Sequence, residues 1–180
     1  RDKSVSRGLG DVYKSQIRED QTYVKEYALV DYEAQYPVVK YIRYPKTGED
    51  NPLVSISILD LKNKEYRSIN LPDTAYYIPD IIWQANSSNL YFATLNRKQN
   101  DWNLYKYDFA TNSGELILND SNDSWIDKKS FFTPRNNATW ASRGGFSFAI
   151  MENGELIWIS EKDGYKPVSY THLRAHETRT

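Results

Sequence analysis

Two stretches of the chain share one plan. SISILDLKNKE (Ser55 to Glu65) and NLYKYDFATNSGE (Asn103 to Glu115) each run an alternating, strand-like segment into an aspartate, one apolar residue and a polar turn. Their aspartates, Asp60 and Asp108, lie 48 positions apart. A second pair agrees with the first in strand order: NLYFATLNR (Asn89 to Arg97) and GELIWISEK (Gly154 to Lys162) each follow a polar turn and read as the second strands of successive units. A period of about 45 to 50 residues is that of a four-stranded propeller blade. The expected fold is therefore all-β, a partial β-propeller of about three blades of antiparallel four-stranded sheets. A β-sandwich, which also yields short strands and regular turns, is the alternative. Propellers close with roughly 4 to 8 blades, so the chain reads as an arc of something larger.

The remaining pattern supports an all-β reading. From about residue 38 onward, short β-branched or aromatic runs recur: VVKYIRY, LVSISILDL, KEYRSINL, NLYFATLN, WNLYKYDF, GELIL, GFSFAIM and ELIWIS. Turn chemistry separates them, as in Pro45 to Pro52, Lys62 to Lys64 and Thr111 to Gly114. No long amphipathic helix is written into the sequence. Hydrophobic residues make up 39% of the chain, enough for a core.

Charge and cysteine content exclude whole classes of chemistry. Lys and Arg number 23 against 24 for Asp and Glu, so no excess recommends nucleic acid or an anionic membrane as a partner. No apolar run approaches the roughly 18 to 20 residues of a membrane span, so no membrane contact is expected from this segment. Cysteine is absent, which removes disulfides, thiolate catalysis and Cys-based zinc sites. Four N-x-S/T sequons begin at Asn86, Asn119, Asn122 and Asn137, where a chain so rich in asparagine gives about two by chance, so they carry little weight.

The most specific segment is VKEYALVDYEAQYPVVKYIRYPKTGEDNP, Val24 to Pro52. Pro37 and Pro45 end extended pieces, Gly48 permits a tight turn, and Asn51-Pro52 restarts the chain as a strand. This stretch resembles the Y-P-K-x-G-x-x-N-P region of the N-terminal propeller in dipeptidyl peptidase IV-like serine peptidases, within the prolyl oligopeptidase group. The resemblance continues through YYIPDIIWQ (Tyr76 to Gln84), TLNRKQN (Thr94 to Asn100), NLYKYD (Asn103 to Asp108), DSWID (Asp123 to Asp127) and ISEKDGY (Ile159 to Tyr165). It covers about residues 18 to 165 and is greatest with bacterial members.

The resemblance implies the propeller fragment of a proline-selective serine exopeptidase, a dipeptidyl or tripeptidyl peptidase, in which the propeller shapes a substrate-access cavity. The Ser, Asp and His of catalysis would lie in a C-terminal α/β-hydrolase domain absent from this chain. The implied substrate is a peptide with Pro or Ala near its N-terminus, the implied partner is the missing hydrolase domain, and the implied location is periplasmic or extracellular. The alternative is a stand-alone β-propeller that scaffolds protein partners without peptidase activity, since one fold hosts many functions.

No catalytic residue is expected within the chain. The nearest approach to G-x-S-x-G is GFSFA, Gly145 to Ala149, which fails at its last position, and Ser147 alternates with Phe146 and Phe148 as a strand residue would. Ser147, Asp163 and His172 occur in hydrolase order, but only 33 residues follow the serine. The family's paired glutamates, which hold the substrate amine, would fall just before Arg18 to Val24, and residues 1–17 contain no such pair. By spacing back from Asp163 to Tyr165, Phe148 matches an aromatic that in the family lines the outer part of the substrate pocket. The same phenylalanine also reads as a core residue on an inner strand. Trp83, Trp102, Trp125, Trp140 and Trp158 read as packing residues, and Asn96, Arg97 and Gln99 as the satisfied end of a polar hairpin.

The two histidines, His172 and His176, stand four residues apart near the C-terminus, a spacing that on a helix would bring both imidazoles to one face as zinc hydrolases do. The repeat instead predicts a third strand over Val168 to Arg174. The family pattern stops at Lys166, and VSYTHLRAHET resembles a sequencing-library adapter translated in frame. Neither a metal nor a cofactor is expected. The expected division is 1–17 unassigned, non-native or divergent; 18–166 propeller fragment; and 167–180 non-native tail.

Overall fold

A computed structural model of the chain describes residues 3–9, 13–33, 35–84, 89–126, 148–151, 155–160 and 168–172, with backbone alone for 3–9, 159 and 168–172. Every regular element among them is a strand. β1 (Lys3–Leu9) and β2 (Tyr13–Asp20) pair antiparallel, and β5 (Leu53–Asp60) and β6 (Tyr66–Ser68) complete a sheet of order β1-β2-β5-β6. Between β2 and β5 the chain leaves this sheet to form a separate ribbon, β3 (Glu26–Asp31) paired with β4 (Val38–Arg43). The second sheet is β7 (Ile81–Trp83), β8 (Leu90–Leu95), β9 (Asp101–Asp108) and β10 (Ser113–Ser121) in chain order. The third is β11 (Phe148–Ile150), β12 (Glu155–Ile159) and β13 (Val168–His172).

These are three successive antiparallel meanders, and their cores decide between propeller and sandwich. All six residues of β8 are buried, and its five apolar ones alternate between two separate cores. Leu90 and Phe92 join Ile17, Ile56, Ile58 and Ile69 of the first sheet. Tyr91, Ala93 and Leu95 join Phe148 and Leu156 of the third. Successive side chains of a strand point to opposite faces, so the second sheet is covered on both sides by its neighbours in sequence. A two-layer sandwich gives each sheet one core face. The three sheets are therefore blades, and the chain is an arc of a propeller. Fully burying each of these aliphatic or aromatic side chains is worth about 1.5 to 3 kcal/mol, so the interfaces hold most of the stabilisation.

The repeat appears as geometry. Asp60 ends β5 and Asp108 ends β9, the third strands of the first two blades. Each carboxylate caps the turn that follows: Asp60 Oδ1 accepts from Lys62 N at 2.8 Å, and Asp108 Oδ1 accepts from Ala110 N at 2.8 Å. Four residues on, Lys64 and Asn112 both take positive φ, 55° in each case. The expected second strands, within Asn89 to Arg97 and Gly154 to Lys162, are β8 and β12.

Strands also occupy the region before residue 38, where the strand reading had not begun. β2 pairs with β5 along its whole length, from Tyr13↔Asp60 to Asp20↔Leu53. Its sequence, YKSQIRED, has only Tyr13 and Ile17 as large apolar residues, because a single side of the strand meets the core. Near the other end, the backbone of β13 pairs with β12 from Glu155↔His172 to Ile159↔Val168.

Gly114, on β10, sits where no side chain fits. A Cβ there would lie 2.6 Å from Phe92 Cζ and 2.9 Å from Tyr105 Cβ. Phe92 is fully buried and stacks on Tyr105 with ring centroids 5.2 Å apart. Gly114→Ala is expected to lower stability by about 1 to 3 kcal/mol, the ordinary cost of overpacking, as measured by urea or thermal unfolding.

Candidate functional site

Four of the aromatic residues singled out by sequence, Phe148, Trp83, Trp102 and Trp158, sit at the junctions between blades. Phe148 opens β11 and is fully buried. Its ring meets Trp102 edge-on with centroids 6.1 Å apart, in the core shared by the second and third blades. Trp158 packs partly buried against the same core. Trp83 lies at the other junction, where its Nε1 donates to Ser15 Oγ of the first blade at 3.0 Å and its ring stacks parallel on Tyr13. Trp125 is 59% exposed, yet its Nε1 donates to Gln99 Oε1 at 3.0 Å. Trp140 and Ser147 lie outside the described residues, as do Asp163 and His176.

The hairpin between β8 and β9 is a closed polar network. Asn96 Oδ1 accepts from Asn100 N (3.0 Å) and Asp101 N (3.2 Å), while its Nδ2 donates to Asn100 Oδ1 at 2.8 Å. Asn100 Nδ2 reaches Asn122 O at 2.9 Å, and Gln99 O accepts from Ile126 N at 2.9 Å. Gln99 takes positive φ, 56°, to close the loop. Asn96 and Gln99 thus satisfy a hairpin end, whereas Arg97 reaches beyond it and donates from Nη2 to Glu49 O.

A comparable link joins the first two blades at the turn after Asp108. Asn112 Oδ1 accepts from Tyr107 OH at 2.6 Å, and its Nδ2 donates to Ser68 O at 2.8 Å. Sequence inspection did not single out Asn112, although its position 48 residues after Lys64 marked it as the left-handed residue of the repeated turn. Nor did it find the ribbon's surface: Tyr32 and Tyr36 are 76% and 79% exposed, and Leu29, Val30, Val39 and Tyr41 are exposed as well. Among the described residues no His, Cys, Asp and Glu group could hold a metal ion, and no helix is long and apolar enough to cross a membrane.

Comparison with known proteins assigns this arrangement. The model of the dipeptidyl peptidase IV (DPP IV) N-terminal region matches residues 14–180. The chain belongs to this family. A probable dipeptidyl-aminopeptidase B of Aspergillus niger is 25% identical over 193 aligned positions, which cover 93% of the chain and 21% of that protein. A relative of the same description from Talaromyces marneffei is 27% identical over 69% of the chain and 15% of its own length. Among solved structures, Porphyromonas gingivalis dipeptidyl peptidase 4 superposes with a TM-score of 0.72 at 29% identity, covering 90% of this chain and 21% of that one. A putative dipeptidyl aminopeptidase IV from Bacteroides ovatus shares the fold, with a TM-score of 0.64 at 22% identity over 89% of this chain and 21% of that one. The DPP IV N-terminal segment described here thus spans about a fifth of the length of these relatives.

Two outcomes test this arrangement. Phe148→Ala removes a buried ring from an interface and is expected to cost about 3 to 5 kcal/mol, read from chemical unfolding. The Asp108 carboxyl is held below its ordinary value of 3.8, first by the hydrogen bond from Ala110 N and then by that from Thr111. A lowered folded value means that its stabilisation is complete above the unfolded value and is lost as pH falls through the folded one. Stability measured between pH 5 and pH 2 should therefore fall less steeply in Asp108→Asn than in the parent.

Proposed function

We propose that this chain is a section of the propeller of a proline-selective serine exopeptidase, part of the wall around a substrate cavity. The acyl-transfer chemistry would come from a hydrolase domain outside these 180 residues. The observation that carries this reading is the family match across residues 14–180, joined to a span of about a fifth of relatives that are dipeptidyl peptidases by description. The substrate class would be peptides with Pro or Ala near a free N-terminus. A wall of blades suits this task because it restricts the size and direction of approach while the chemistry proceeds in a water-excluded site. Phe148 would take part from behind that wall, where its ring packs on Trp102 and sets the position of β11. The nearest catalytic motif in the sequence, Gly145 to Ala149, has Ala149 where the second glycine of a nucleophile elbow stands, which supports assigning catalysis elsewhere.

Extending the source DNA past the codon for Lys166 tests this reading, and with it the proposal that residues 167–180 are a non-native tail. The family match through residue 180 and the pairing of β13 with β12 both count against that tail proposal. The expected result is a frame that departs from Pro167 onward and leads to a hydrolase domain with a G-x-S-x-G elbow. The full-length product should cleave a Gly-Pro chromogenic peptide, and the 180-residue chain alone should release no chromophore above background. A frame that closes without such a domain would leave the stand-alone propeller as the correct reading.

A further inference from the structure

The stretch that most marks this sequence, Val24 to Pro52, leaves the first blade as the β3–β4 ribbon and returns to it at β5. An isolated two-stranded ribbon is marginally stable in water, and a flexible root would let it sample many directions. Here both sides of the root are bonded. On the way out, Asp20 accepts from Thr22 N at 2.9 Å and from Thr22 Oγ1, and Val24 N donates to Gln21 O at 3.1 Å. Arg43, the last residue of β4, reaches across to this turn. Its Nη1 is shared among the carbonyls of Gln21 (3.0 Å), Thr22 (2.9 Å) and Val24 (2.9 Å). Hydrogen bonds from a charged donor are roughly twice as strong as neutral ones, and the planar guanidinium sets their direction.

On the way back the chain is tied three more times within the root and ribbon and twice to the next blade. Tyr44 N donates to Lys25 O at 3.1 Å, and Lys46 Nζ lies 4.7 Å from the centre of the Tyr27 ring. Lys25 Nζ pairs with Glu49 at 2.7 Å across the turn that Gly48 closes with φ of 87°. The second blade then takes hold: Arg97 Nη2 donates to Glu49 O, and Asn51 Nδ2 donates to Tyr77 OH at 2.8 Å. Arg97 follows β8, and Tyr77 is bridged through its backbone to Leu95 at the end of that strand. The root is thus bonded within itself and to the ends of both blades.

We propose that this root is a lever joint. Arg43 fixes the direction of the ribbon against the first blade, and Arg97 and Asn51 couple it to the second, so that a change in the angle between the two blades turns the ribbon. The absence of native cysteine makes the test direct, because introduced thiols can be spin-labelled selectively. One labelled pair, Tyr32→Cys with Leu116→Cys, measures the distance from the ribbon tip to the second blade. A second pair, Leu61→Cys with Leu116→Cys, measures the distance between blades. All three positions are exposed.

The expected result for the otherwise unmutated protein is a single narrow distance distribution for the ribbon pair. Arg43→Ala should broaden it at least twofold and leave the blade pair unchanged. Arg43→Lys, which puts three N–H donors on one nitrogen in place of the two on Nη1 but loses the planar fork, should recover part of the narrowing. Arg97→Ala, on an exposed loop, should broaden the ribbon pair to a smaller extent and carries the test where Arg43→Ala does not fold. A broad ribbon distribution without either substitution, or a width that neither substitution changes, overturns the proposal.

Discussion

The burial of β8 on both faces is the constraint on which the rest of the structure depends. Leu90 and Phe92 commit one side of the second blade to the first, and Tyr91, Ala93 and Leu95 commit the other side to the third. A strand with polar residues at alternate positions would leave one side wet and stop the stack at two sheets. Because both sides are apolar, each blade gains most of its stability from its neighbours, as stacked repeats do. The requirement for Gly114 follows from the same packing, since Phe92 fills the space where its Cβ would stand.

Polar groups at the blade ends finish what the apolar interfaces begin. Asn112 joins two blades through Ser68 O while its own backbone takes the left-handed turn, so one residue serves both the hairpin and the junction. Asp60 and Asp108 satisfy the amides that their turns expose. Both turns are exposed, so these bonds compete with water and act by holding each turn in its shape. The repeated aspartate therefore has a local physical cause that operates in each blade separately.

The ribbon departs from this economy. Its residues are apolar on both faces: Tyr27, Leu29 and Ile42 share one, and Ala28, Val30, Val39 and Tyr41 the other, as the register of β3 and β4 requires. In the blades such a pattern means burial on both sides, as in β8. In the ribbon the same residue types stay in water, held in place by the bonds of Arg43, Glu49 and Arg97 at the root.

Much was already fixed by local sequence. The period between Asp60 and Asp108, the second strands within Asn89 to Arg97 and Gly154 to Lys162, and the all-β class follow from short-range chemistry: side-chain alternation and turn capping act over a few residues. The motifs from Val24 to Tyr165 were equally enough to indicate the family. Tertiary structure alone decided which apolar strands are covered. LYFATL and the strands of the ribbon look alike as strings, and only the presence or absence of a neighbouring sheet separates them. It also decided that Phe148 meets Trp102 and that Arg43 gathers three carbonyls from a turn about 20 residues earlier in the chain. Such contacts join residues far apart in sequence, and their free energy exists only once the blades are side by side.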